Sequence, residues 1–182
     1  VFAQRGYEAS MEEIAEKAEV GVGTLYRRFP SKADLVKAVV EAANRRTEEI
    51  AASVLADCSP ADGVFEFLRR CVATPSCWRV IVSRAPGIGD TPRHGITRIA
   101  PLVELLLENG KKAGEIRPDV VFSDLAVALM AVRAVADLFD PVAASTSGRY
   151  LELVMAALRP DGHAWQSPAM TTRQLGEVLS GR

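Results

Sequence analysis

The sequence predicts an all-α fold in which an N-terminal helix-turn-helix precedes a larger helical body. Three observations carry this. Apolar residues recur at helical spacing along most of the 182 residues. Proline and glycine clusters divide those runs into helix-sized pieces. No segment shows strand-like alternation, and no internal repeat is present.

The most informative stretch is Ser10 to Lys32, SMEEIAEKAEVGVGTLYRRFPSK. Ser10 is placed to cap a first helix, with Glu13 reaching back as the other half of a capping box. Met11, Ile14, Ala15 and Ala18 then form one apolar stripe. Glu12, Glu13, Glu16, Lys17 and Glu19 lie off it, so this helix supports a partner rather than lying along phosphates.

A second short helix divides its residues differently. Val22, Leu25 and Phe29 point one way, Thr24, Arg27 and Arg28 roughly the other, with Tyr26 at the border. Gly23 carries no side chain and allows close approach. Arginine reads guanine O6 and N7 or grips phosphate, and threonine bonds a base edge or packs on a thymine methyl. Pro30 stops the helix, Ser31 caps the next, and Lys32 stands in its first turn, a natural phosphate position. DNA is therefore the first partner to consider. A solvated face bearing two arginines is the plainer reading of the pattern alone.

The residue identities go further. Val20 to Lys32, VGVGTLYRRFPSK, and the upstream RGYEASMEEIAEKA resemble the DNA-binding domain of the tetracycline-repressor (TetR) family of bacterial regulators. The close resemblance covers about the first quarter of the chain. It implies that Gly23 and Thr24 face base edges, that Tyr26 contacts phosphate, and that Arg27 and Arg28 contact base or phosphate. It also implies that Lys32 clamps phosphate and that Ser10 and Met11 sit at the DNA backbone. For Tyr26 a half-buried packing role is the alternative; for Ser10 it is capping alone.

Three positions depart from the family pattern. Glu19 stands where glycine is usual in the turn; a left-handed backbone there costs a glutamate roughly 1–2 kcal/mol. Gly21 replaces the usual serine or threonine cap, at little cost in stability. The sequence starts at Val1, just before Phe2, where relatives carry a further helix. The expectation is a fragment whose Leu35, Val36 and Val39 lack packing.

Composition agrees with a regulator. Net charge is −1, and residues 1–50 hold eight Lys/Arg against nine Asp/Glu. DNA binding would then rest on a small acid-free cluster of Arg27, Arg28 and Lys32, doubled in a dimer. Cys58, Cys71 and Cys77 lack metal spacing and fit a reduced cytoplasm, packing as small apolar residues. No metal site, cofactor motif or catalytic constellation is readable; His94 and His163 fall in loop-like segments without a nucleophile motif. The chain is not expected to be an enzyme.

Beyond the motif, a long helix is expected from Ser31 to near Asp57. Others start at Ser59-Pro60 (to about Ala73) and at Thr74-Pro75 (through Trp78 to about Pro86). GIGDTP reads as a loop. A helix follows from about Arg93 to Ala113, with Pro101 as a kink or break. Val120 to Phe139 is apolar almost all round but interrupted by Asp124, Arg133 and Asp137, so it reads as buried rather than membrane-spanning. With Tyr150 to Leu158 it forms the last two long helices, which in TetR-like proteins pair with their copies in a homodimer. Ala126, Ala128, Ala131 and Ala134 would allow close approach. A purely internal core helix is the alternative. After Pro160 comes a loop-like tail. Thr171 and Gln174 suggest a capping box for a short helix with Leu175, Val178 and Leu179 inward.

The expected organisation is a helix-turn-helix DNA-binding domain over 1–45, its first helix largely missing, and a helical effector-binding and dimerisation domain over 46–182. If the resemblance extends to the body, an unknown small-molecule effector binds there, with Phe65, Leu68, Trp78, Leu102 and Arg133 as candidates. Ordinary core or surface roles are the alternative for each. The expected function is a cytoplasmic, ligand-responsive repressor that binds a palindromic operator DNA as a dimer and has no membrane partner. The alternative is a helical small-molecule-binding protein with lost or weak DNA binding.

Overall fold

The structure, a computed structural model, describes residues 5–74, 85–86, 88–138, 143–162 and 165–180. A short 3-10 turn, Gly6–Glu8, precedes eight α-helices among the described residues. They are α1 (Met11–Lys17), α2 (Val22–Arg28), α3 (Lys32–Asp57), α4 (Gly63–Ala73), α5 (Thr91–Lys112), α6 (Phe122–Leu138), α7 (Ala143–Ala157) and α8 (Thr172–Ser180). The described residues contain no strand. None of their helices is long and apolar enough to cross a membrane.

Local chemistry sets the helix starts. Ser10 Oγ accepts from the Glu13 amide at 3.1 Å, and Glu13 accepts from the Ser10 amide at 2.8 Å, so both halves of the expected capping box are present. A second box joins Ser31 to Asp34 at the start of α3. Thr171 and Gln174 close a third before α8, as the sequence predicts.

Two apolar clusters organise the chain, and α3 serves both. Ala9, Met11, Ile14, Ala15 and Leu25 pack with Leu35, Val36 and Val40 of α3. The expected lack of packing at Leu35, Val36 and Val39 is not seen: Leu35 and Val36 are buried, Val39 is half-buried against the same cluster, and Ala85 and Ile88 from the body join it. The far half of α3 contributes Ile50, Ala51 and Val54 to a larger cluster with α4, α5 and α6, to which α7 and α8 add Leu151 and Leu175. Cys71 is buried there, and burial pushes its thiol up to about 12, partly opposed by Arg133. It packs as a small apolar residue. Cys58 is half-buried, and Cys77 lies outside the described residues.

The body corrects several sequence expectations. Helix α5 runs through Pro101 without the expected break, its buried residues on both sides holding the helix where proline has no N–H to donate a backbone hydrogen bond. It starts at Thr91, which places His94 in its first turn rather than in a loop. Helix α7 starts at Ala143, seven residues before the apolar run YLELVMAAL. Val178 faces solvent at 45% exposure, so α8 packs through Leu175, Gly176 and Leu179. The segment expected to run from Thr74-Pro75 to about Pro86 lies almost wholly outside the described residues.

The tail is held by a buried arginine. Arg117, 4% exposed, meets Asp119 through Nε and Nη2 at 2.8 and 3.1 Å. It also reaches Asp161 at 3.4 Å and lies 4.1 Å from the centroid of the Trp165 ring. Ser123 donates to the Met170 carbonyl further along. These contacts seat Asp161, Trp165 and Met170 against the α5–α6 turn and the start of α6.

Candidate nucleic-acid interface

Helix α2 exposes most of its surface. Leu25 is its one buried side chain; Thr24, Tyr26, Arg27 and Arg28 are all exposed. Val22, expected inward, is exposed at 36%, because seven residues joined to the fold at Leu25 and the half-buried Phe29 have only a narrow buried face. Tyr26 is 43% exposed, more than a half-buried packing residue would be. Gly23 has nothing within 4 Å of the position a β-carbon would take. The outward face therefore carries a hydroxyl, a phenol and two guanidiniums over an open backbone. The Arg28 guanidinium rests 5.4 Å from the Phe29 ring centroid, along the end of the helix.

The turn before α2 is a left-handed helix stop. The Val20 amide donates to the Ala15 carbonyl and the Glu19 amide to the Glu16 carbonyl, both at 3.0 Å. This pairing puts the intervening residue in the left-handed region, and Glu19 has φ 55°. Glycine would adopt it without steric cost. Ala18, expected on the buried stripe, is instead the exposed cap of α1. Gly21 caps α2 with no side-chain bond to the helix amides.

Flanking groups complete the surface. Ser10 is half-buried with its hydroxyl in the capping box, and Met11 is buried as a whole residue. Lys32 opens α3, its Nζ 4.1 Å from the centroid of the Tyr7 ring. Sequence reasoning missed that contact, since nothing local links residues 25 positions apart. It also missed Asp34. The cluster of Arg27, Arg28 and Lys32 is not wholly acid-free, because the Asp34 carboxylate sits at the same helix start and accepts from the Ser31 hydroxyl at 2.7 Å. The spacing Ser31-x-x-Asp34 is the signal that would have found it.

Comparison with known proteins identifies this arrangement. Residues 1–39 match the family described as "Bacterial regulatory proteins, tetR family". Residues 59–160, more than half of the chain, match "Transcriptional regulator SbtR-like, C-terminal domain". The chain belongs to the TetR family. It is a DNA-binding transcriptional regulator and not an enzyme. Among solved structures of TetR-family proteins, a regulator from Streptomyces coelicolor is 28% identical with a TM-score of 0.62, over 89% of this chain and 94% of that one. One from Mycobacterium vanbaalenii is 29% identical with a TM-score of 0.59, over 87% and 88%. The HTH-type transcriptional repressor KstR of Mycolicibacterium smegmatis is 49% identical over 51 residues, which span 28% of this chain and 24% of that repressor.

Three of the body residues considered for an effector in this TetR-family chain lie in or against the larger apolar cluster. Phe65 and Leu68 are buried in the larger cluster, with Leu102 packed against it. Arg159 stacks on the Phe65 ring at 4.5 Å. Arg133 donates to the Thr74 carbonyl at 2.9 Å and to the Cys71 carbonyl, binding the negative end of α4. Trp78 lies outside the described residues. Two grooves, of about 450 and 590 Å³, lie beside the tail, and none of the candidates lines them.

Proposed function

We propose that this regulator is a dimeric, ligand-responsive repressor acting in the cytoplasm on a palindromic operator. The observation that carries the reading is the exposed face of α2. In this reading Gly23 and Thr24 meet base edges, Arg27 and Arg28 meet base or phosphate, Tyr26 and Lys32 grip phosphate, and Ser10 and Met11 approach the DNA backbone at the start of α1. Such contacts on one small face favour a partner copy reading a second half-site.

The last two long helices supply the dimer surface in this reading. Helices α6 and α7 pack together, yet Val127, Tyr150 and Leu153 remain 44%, 41% and 55% exposed. Exposed small residues, Ala131, Ala156 and Ala157, lie on the same helices. An apolar face of this kind suits an isologous interface. A small-molecule effector would enter near Phe65, Leu68, Leu102 and Arg133 and favour a state whose two α2 helices no longer match successive major grooves.

Retardation of a DNA fragment from the protein's own upstream region at low salt tests the proposal. The wild type should shift it, and Leu153→Glu should give a monomer that does not. No shift by the wild type under those conditions would favour the other reading, a small-molecule-binding protein with weak DNA docking. Glu19 in its left-handed turn and Gly21, a cap with no side-chain bond to α2, are the observations on that side.

A further inference from the structure

We propose that Tyr7 is a positioning residue for the phosphate contact of Lys32, an inference that rests on the reading of Lys32 as a phosphate clamp. Lys32 is the first residue of α3, and a lysine there has four rotatable side-chain bonds to order before it holds a phosphate. Its ammonium instead lies 4.1 Å from the centroid of the Tyr7 ring. The ring is itself fixed, being half-buried and packed against the cluster of Met11, Leu25 and Leu35. Gly6 makes this possible: its φ of 57° turns the chain in the 3-10 segment that carries Tyr7.

The chemistry suits a platform rather than a competitor. The face of an aromatic ring attracts a cation without neutralising it. An ammonium has three N–H donors, and the ring covers one side of it, leaving donors for a phosphate oxygen. The acid at the same helix start, Asp34, is held by the Ser31 hydroxyl and amide. Tyr7 thus holds the Lys32 ammonium at its ring face. The phenol oxygen plays no part, so a phenylalanine ring should serve equally.

The test measures affinity for a 30-base-pair duplex that the full chain itself selects from a random pool, over a series of salt concentrations. Tyr7→Phe should match the wild type. Tyr7→Leu should bind roughly two- to fivefold more weakly, with a shallower salt dependence. In a Lys32→Ala background, Tyr7→Leu should cause no further loss. Pentafluorophenylalanine at position 7, which keeps the ring shape and reverses its charge distribution, should reproduce the Tyr7→Leu loss and keeps the test open if that variant folds poorly.

Equal loss from Tyr7→Leu in both backgrounds, or full affinity with the fluorinated ring, would overturn the proposal by assigning Tyr7 to packing. If Lys32→Ala weakens binding and flattens the salt dependence while Tyr7→Leu does neither, the positioning role falls and the clamp stands. If Lys32→Ala changes nothing, the clamp reading falls and the proposal falls with it.

Discussion

The side-chain amide of Asn44 lies where a β-carbon on Gly95 would stand, 2.3 Å away. The same amide donates to the Thr91 carbonyl at 3.1 Å and is almost fully buried. Nearby, Arg98 of α5 reaches Glu48 at 3.0 Å and Glu41 at 2.8 Å, both on α3. Helix α3 leaves the DNA-binding motif, and α5 is a principal helix of the body, so this junction joins the two.

Gly95→Ala tests how tight the junction is. Alanine favours a helix over glycine by about 1 kcal/mol. Here the added methyl must push Asn44 off its buried bond, and overpacking costs about 1–3 kcal/mol. The variant should melt lower than the wild type in thermal denaturation. Combining it with Asn44→Ala should recover part of the loss. A higher melting temperature for Gly95→Ala would show that the junction yields freely.

Glu19→Gly should stabilise the protein. The left-handed backbone at Glu19 costs a residue with a β-carbon roughly 1–2 kcal/mol relative to glycine, less the greater freedom of glycine in the unfolded chain. Urea denaturation should show a higher midpoint with an unchanged slope. An equal or lower midpoint would mean that the Glu19 side chain offsets its backbone strain.

Acid should release the tail. The Arg117 guanidinium beside Asp119 holds that carboxyl down at about 2, helped by the Trp165 amide and opposed by burial. A carboxyl lowered in the folded state stabilises it above the ordinary value of about 4. That contribution is lost as pH falls from there toward 2. Emission of Trp165, followed with Trp78 replaced by phenylalanine, should change over this interval. Asp119→Asn should remove that change; an identical acid profile in the variant would contradict the assignment.

On DNA, Arg28 and Lys32 should behave differently. Arg28→Ala should cost roughly 1–3 kcal/mol and relax preference at one position of each half-site. Lys32→Ala should weaken all sequences alike and lower the salt slope by about one. Uniform loss for Arg28→Ala across sequences would make it a phosphate contact.

What the sequence made legible follows from distance along the chain. The boxes at Ser10/Glu13 and Thr171/Gln174 are three-residue relations, and the strain at Glu19 follows from a turn of known shape. The directions of Ala18, Val22 and Val178 were misread because short helices bury a narrower face than an apolar stripe suggests. Pro101 stays helical because its neighbours are packed. Contacts between distant residues left no local trace: Tyr7 with Lys32, Asn44 with Gly95, and Arg117 with Asp161 and Trp165.

The central claim is that the exposed face of α2, doubled by a second copy, reads a palindrome. Selection of binding sites by the wild-type chain from a random duplex pool at low salt tests it most directly. The account predicts enrichment of an inverted repeat with half-site centres about 10–10.5 base pairs apart, or a multiple of that, and loss of that enrichment with Arg27→Ala/Arg28→Ala. A pool that stays random with the wild type, or an inverted repeat that persists unchanged in the double variant, would contradict it.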